Sequence, residues 1–116
     1  MEENNKKVIT ERRGSIYIVT INRPEVKNAF DETTSRELSL AMDEFENDDT
    51  LYIGIIHGAG GTFSSGADLK AVARGEQLYT EKRGGFGIFE KPPSKPLIAA
   101  VEGYAVAGGM ELCLSC

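Results

Sequence analysis

No run of basic residues occurs in this 116-residue chain, and its formal charge is −5. The electrostatic footprint of a nucleic-acid or anionic-membrane binder is therefore missing, although a few local Lys or Arg residues suffice for a phosphorylated small ligand. No apolar run approaches the ~20 residues that cross a bilayer. The opening MEENNKKV lacks the apolar core of a signal peptide, and Glu2 and Glu3 are acids where mitochondrial transit peptides avoid them. Two cysteines are too few for a secreted disulfide framework. Internal repeats and low-complexity tracts are also lacking. What is present is an ordinary globular composition, 41% hydrophobic and 27% charged, at the size of one domain. These features lead us to expect a soluble, cytoplasmic protein with no nucleic-acid or membrane partner.

Along the chain, residues 6–22 split around Gly14 into two short apolar runs and predict a hairpin. The stretch RPEVKNAF reads as a loop, since Pro24 disfavours helix for the residue before it. From Asp31 to Asn47 the period becomes helical, with Leu38, Met42 and Phe45 on one face, Arg36, Glu37, Asp43 and Glu44 on the other, and Thr34 with Glu37 fitting a capping box. The Ile-rich LYIGIIHG, 51–58, suits a strand buried on both faces. The glycine-rich GAGGTFSSGAD leads into a short helix near LKAVARG. Residues 74–95 show no sustained period and predict a long, mobile loop with a helical turn. KPLIAAVEG restores a buried strand, and AVAGGMELCLSC begins a helix. Strands separated by helices imply parallel pairing, an α/β class, and a ligand site at the strands' carboxyl ends, where two glycine-rich turns can face each other.

Several familiar chemistries fail at the residue level. Gly61 and Gly66 have the four-residue gap of a P-loop, yet Ala67 and Asp68 stand where Lys and Ser or Thr are required. Gly58 and Gly60 are followed by Phe63 where a dinucleotide fingerprint needs its third glycine. A serine-hydrolase elbow would need glycine where Thr62 stands, and the only histidine, His57, falls on the predicted buried strand as a core residue. Cys113 and Cys116 form a CxxC, but a structural zinc site needs two further ligands, and redox pairs usually open a helix, whereas Cys113 lies within one. No metal is expected.

Simpler chemistry survives. A Gly-Ala step into a helix leaves backbone N–H groups unpaired and available to an anionic oxygen, and VAGGME offers the same. Two such donors converging from separate loops make an oxyanion hole, though glycines also serve plain tight turns. Glu111, in the first turn of the last helix among Met110, Leu112, Cys113 and Leu114, is expected to be partly screened from water. That screening would raise its pKa toward acid/base work; a solvated helix cap is the plainer role.

Taken in order, NRPEVKNAF (22–30), GTFSSGADLK (61–70) and KPLIAAVEGYAVAGGMEL (95–112) resemble the motifs of the crotonase superfamily, the enoyl-CoA hydratase and isomerase group, from about Val8 onward. The resemblance implies a crotonase-like (ClpP/crotonase) spiral of β-β-α units, with two roughly perpendicular sheets, that binds acyl-CoA thioesters and needs no separate cofactor, CoA being part of the substrate. It assigns the oxyanion hole to the backbone N–H groups of Ala67 and Gly108, and CoA or acyl contacts to Val26, Ala29, Ala67, Asp68, Leu69 and Lys70. Arg23, Lys27 or Lys70 would meet the phosphates. Glu111 matches the first of two catalytic glutamates that add water across the α,β double bond.

The partner glutamate falls beyond residue 116 in the family pattern. Residues 1–116 are thus expected to be the N-terminal part of a single crotonase-like domain, truncated at the C-terminus and marginal alone, that forms a homotrimer or dimer of trimers at full length. The implied activity is enoyl-CoA hydration. Double-bond isomerisation or carnitinyl-CoA-type dehydration on the same scaffold, and a non-catalytic binder or inert fragment, are the alternatives.

Overall fold

A computed structural model describes residues 6–116; Met1 to Asn5, including the acids Glu2 and Glu3, lie outside the described residues. Strands β1 (Val8–Arg13) and β2 (Ile16–Ile21) pair antiparallel, Arg13 opposite Ile16. Gly14, at φ +61, supplies the left-handed residue such a short connection requires. Helix α1 (Glu32–Asn47) crosses back, and β3 (Ile53–Gly58) joins β2 in parallel. A short helix α2 (Leu69–Ala73), a two-residue ladder of β4 (Tyr79–Thr80) and β5 (Gly84–Gly85), strand β6 (Leu97–Ala100) and helix α3 (Gly108–Leu114) complete the order. The main sheet runs β1-β2-β3-β6, with β6 parallel to β3. No described helix is long and apolar enough to cross a membrane.

The core forms where the apolar stripe of α1 meets one face of this sheet. Tyr17, Val19 and Ile21 alternate inward along β2 and meet Leu38, Met42 and Phe45, all buried. The Tyr17 and Phe45 rings stack at 5.8 Å. The opposite face is less covered, which corrects the expectation of strands buried on both faces. In β3, Gly54, Ile56 and Gly58 are buried while Ile55 and His57 are only half-buried, and in β6 only Leu97 is buried. Within residues 6–116 His57 is half-buried rather than core, 2.7 Å from the Thr20 hydroxyl of the neighbouring strand. Length and Ile content cannot distinguish such a strand from a doubly buried one.

Helix α1 starts at the expected place but by a different device. Asp31, not Thr34, is the N-cap: its Oδ1 accepts the Thr34 N–H at 2.9 Å and the Thr34 hydroxyl at 2.6 Å. Glu37 instead accepts the N–H groups of Lys7 and Val8, both at 2.9 Å, and so ties α1 to the start of β1. Thr34 lies inside the first turn, three residues past the cap position. At the other end Lys95 Nζ donates to the carbonyl of Phe45 in the last turn and to those of Asp48 and Leu51 just beyond it.

Burial works against ionisation of Asp31, but Lys7 Nζ at 2.5 Å, both Thr34 donors and the Arg23 guanidinium outweigh it and bring its carboxyl down to about 2 from 3.8. A native pKa below the unfolded one means the stabilisation is complete above the unfolded value and lost as pH falls through the native one. The shift corresponds to about 2 kcal/mol. Urea unfolding of the intact protein should therefore show Asp31→Asn least stable relative to the parent near neutral pH, with the gap closing between about pH 4 and pH 2. A gap that stays constant over that range would remove this linkage.

Residues 74–95 depart from the expected mobile loop. Besides the β4–β5 ladder, the segment buries Arg83, Phe86 and Ile88. Arg83 Nε donates to Asp43 of α1 at 2.8 Å and one of its amino groups to the Lys91 carbonyl at 2.7 Å. Gly87 sits so close to α1 that a Cβ there would lie 2.3 Å from the Ser35 carbonyl oxygen.

Candidate active site

Two loops build the first half of the site. After β2, Pro24–Val26 form a single 3-10 turn, and Lys27 and Asn28 follow at φ 55, a conformation Asn tolerates better than most residues. Asn28 is fully buried: its Oδ1 accepts the Arg23 N–H at 2.8 Å, and its Nδ2 donates to the carbonyls of Ala59 and Thr62 at 2.9 and 2.6 Å. This amide locks the 22–30 loop to the glycine-rich loop after β3. Phe30 then bridges Ala67 in parallel, its N–H donating to the Gly66 carbonyl and its carbonyl accepting from the Asp68 N–H, each at 2.8 Å. A parallel bridge uses the neighbours of the bridged residue, so the N–H of Ala67 faces away from Phe30.

The second half comes from the loop before α3. Ser64 bridges Ala105, and the Val106 carbonyl accepts the Gly109 N–H at 2.8 Å across a tight turn. Ala107 occupies its first central position at φ 51, ψ −124, a conformation normally given to glycine. That torsion sets the plane of the Ala107–Gly108 peptide. The turn abuts Gly66 so closely that a Cβ on Gly66 would stand 3.0 Å from the Gly108 nitrogen, and Gly66 itself has φ +100. Among the described residues neither the Ala67 N–H nor the Gly108 N–H has an acceptor. The structure thus brings the two expected backbone donors into adjoining loops and leaves both free.

Val26, Ala29, Ala67, Asp68, Leu69 and Lys70 line one cleft of about 480 Å³ together with Arg23 and Arg74. Asp68 has a structural task within it, capping α2 by accepting the N–H groups of Lys70 and Ala71 at 3.0 and 3.2 Å. Burial disfavours its charge, but the Ala71 N–H and the Arg23 guanidinium, 3.1 Å away, prevail and hold its carboxyl below the ordinary value. The three candidate phosphate-binding cations separate. Arg23 is taken up by Asp68, Asp31 and the Ala29 carbonyl, and Lys27 Nζ lies over the Tyr104 ring at 5.8 Å. Lys70 is exposed and forms no ion pair among the described residues, which leaves it the freest of the three.

Glu111 stands in the first turn of α3, its N–H donating to the Ala107 carbonyl at 3.1 Å. Its side chain is exposed, correcting the expectation of partial screening: Leu112 points into the core while Met110, Glu111 and Leu114 face outward. Alternation of apolar neighbours on a helix does not by itself bury the residue between them. Cys113 packs half-buried against the core, its thiol pushed up by burial, and both cysteines are free. Among the described residues no three His, Cys, Asp or Glu side chains gather as a metal site.

Asn28, Ser64, Ala107 and Phe86 were not singled out from the sequence. Ser64 is buried, donating to the Asn28 carbonyl at 2.9 Å and accepting the Gly66 N–H at 3.2 Å. Only Asn28 carries a local signal, an Asn ending a proline-containing turn.

With this geometry in place, the comparisons with known proteins are specific. Residues 11–116 match the family model described as enoyl-CoA hydratase/isomerase, and the chain belongs to that family. It is 39% identical over 121 aligned residues to the short-chain-enoyl-CoA hydratase of Clostridium acetobutylicum, covering 100% of this chain and 46% of the relative. Carnitinyl-CoA dehydratase of Escherichia coli K12 is 46% identical over 110 residues, covering 90% and 41%. The crystal structure of an enoyl-CoA hydratase from Mycobacterium tuberculosis H37Rv superposes with a TM-score of 0.93 at 53% identity, covering 97% of this chain and 44% of that one. The fold is the crotonase α/β fold, and the chain spans less than half the length of the curated relatives it matches. Beyond the four-stranded sheet and the β4–β5 ladder, the described residues carry the isolated parallel bridges Phe30–Ala67 and Ser64–Ala105.

Proposed function

We propose that residues 1–116 form the N-terminal part of a single crotonase-like acyl-CoA-binding domain, and that the intact protein adds water to 2-enoyl-CoA thioesters without a separate cofactor. The observation that carries this reading is the pair of N–H groups at Ala67 and Gly108, without acceptors among the described residues and on adjoining loops, with Ala67 in the cleft lining. The thioester carbonyl oxygen accepts from both. As the oxygen of water bonds to C3, the C2–C3 π electrons move toward that carbonyl and an enolate forms, with its charge on the oxygen the two donors face. Each donor is worth about 10²–10³ in turnover, because it strengthens as the charge develops. Protonation of C2 then restores the thioester. Glu111, beginning α3 beside Gly108, moves one of the protons, and a second carboxylate supplied outside residues 1–116 completes the pair.

In the cleft, Val26, Ala29 and Leu69 offer apolar surface to the CoA moiety, and Lys70 is the cation for its phosphates. The protein acts in the cytoplasm as a homotrimer or dimer of trimers. Dehydration of a carnitinyl-CoA-type substrate is a second reading, favoured by the 46% identity to the Escherichia coli dehydratase. It uses the same enolate in the opposite direction. Purified intact protein should consume crotonyl-CoA, followed by loss of the enoyl absorbance, with Lys70→Ala raising KM and leaving kcat near the parent's. Turnover of carnitinyl-CoA with none of crotonyl-CoA would select the second reading, and turnover of neither would overturn both.

A further inference from the structure

Residue Phe86 has a place no local pattern explains. Its backbone is left-handed at φ 56, uncommon for an aromatic residue, and its ring is buried. One face stacks on Phe30 at 4.3 Å with the planes 10° apart, and Phe89 stacks at 4.9 Å. The rim of the ring meets Gly108: a Cβ built there would lie 2.6 Å from Phe86 Cζ and 2.9 Å from Cε2. The ring therefore rests directly on the α-carbon of the residue whose N–H is one oxyanion donor.

The other donor is held from the other end of the same stack. Phe30 grips both neighbours of Ala67 through its N–H and carbonyl, so the Ala67 peptide cannot shift without carrying Phe30 along. The Phe30 ring is fully buried and stacked on Phe86. Phe86 is anchored in turn: its N–H donates to the Leu78 carbonyl at 3.0 Å, Arg83 pins the segment to Asp43, and Gly87 lies against the α1 backbone. The strained torsion of Ala107 means that the Gly108 peptide must be held in place by what surrounds it.

We infer that the Phe30–Phe86 pair is a rigid spacer that sets the separation of the Ala67 and Gly108 donors, with Phe86 a positioning residue for the enolate-forming step. The inference rests on the proposed function of those two N–H groups. A flat ring at 86 gives Gly108 a fixed seat; a smaller side chain leaves a gap into which the loop relaxes, and a longer one pushes the loop away.

The test compares two CoA thioesters bound to the intact protein. Butanoyl-CoA reports ground-state binding, while 3-oxobutanoyl-CoA, whose enolate puts charge on the thioester oxygen, reports the donors. Phe86→Leu should lower kcat for crotonyl-CoA and affinity for 3-oxobutanoyl-CoA together, by about 10²-fold, as misplacement of a reacting geometry by roughly 1 Å does. KM and butanoyl-CoA affinity should stay close to the parent's. Phe86→Tyr, whose hydroxyl would be driven into Gly108, should shift the ratio of the two affinities in the same direction. Phe45→Leu removes a buried aromatic stacked on Tyr17 outside the site; it should lower the melting temperature and leave the ratio unchanged.

Should Phe86→Leu fail to fold by circular dichroism, Phe86→Met keeps the volume without the flat face and carries the same readout. An unchanged ratio in the folded Phe86 variants, or an equal change in Phe45→Leu, overturns the spacer. A parent that prefers 3-oxobutanoyl-CoA yet does not hydrate crotonyl-CoA overturns the hydration reading alone, with the affinity ratio still deciding the spacer. A parent that binds neither thioester overturns both.

Discussion

Glu111→Gln in the intact protein is expected to lower turnover of crotonyl-CoA by about 10²–10⁴-fold, the range for loss of a positioned acid or base. The affinity for butanoyl-CoA should hardly change. The amide keeps the volume of the carboxyl and its capacity to accept and donate hydrogen bonds, but it cannot take up and release a proton at working pH. The Glu111 carboxylate is exposed and has no charged partner among the described residues, so unfolding free energy should stay within about 0.5 kcal/mol of the parent's. A loss of turnover at unchanged stability and unchanged ground-state affinity therefore isolates a proton-transfer role. Hydration at the parent's rate in this variant would remove Glu111 from the mechanism and leave the backbone donors to act with other acids.

What could be read in the sequence follows the range of the forces involved. The hairpin around Gly14, the start of α1 near Asp31 and the parallel succession β2-β3-β6 are written in periodicity and turn residues a few positions apart. That the N–H groups of Ala67 and Gly108 lie free among the described residues was legible, because glycine-rich steps into helices expose N–H groups wherever they occur. The coverage of a sheet face was not legible: Ile55 and Ile98 look like core residues in composition, yet Ile98 is 53% exposed. The fixing of residues 74–95 was hidden for a related reason. Arg83 meets Asp43, which lies 40 positions away, and a glycine-rich segment without a period gives no sign of such an anchor. Ala107 was missed because its torsion belongs by preference to glycine, so composition argues against the conformation it adopts.

Gly108→Ala and Gly109→Ala, one position apart, should fail in different ways. At 109 the new Cβ would lie 2.1 Å from the Ser64 carbonyl oxygen and 2.8 Å from its carbon. Ser64 cannot retreat, since it bridges Ala105, accepts the Val106 N–H and bonds through its hydroxyl to the Asn28 carbonyl. Overpacking against such a backbone falls at or above the upper end of the usual cost, about 3 kcal/mol. At 108 the Cβ meets mainly the rim of the Phe86 ring, with the Gly66 α-carbon 3.3 Å away, and the turn that carries Gly108 shifts before the stacked ring does. Gly108→Ala should thus remain folded with a midpoint closer to the parent's. Its loss appears in chemistry, about 10²–10³-fold in kcat, because the displaced loop carries one oxyanion donor off its position. Urea midpoints and crotonyl-CoA kinetics on the two variants separate the cases. Full turnover in Gly108→Ala would mean that the Gly108 N–H does not face the developing charge, and a Gly109→Ala protein as stable as its parent would mean that the Ser64 bridge yields.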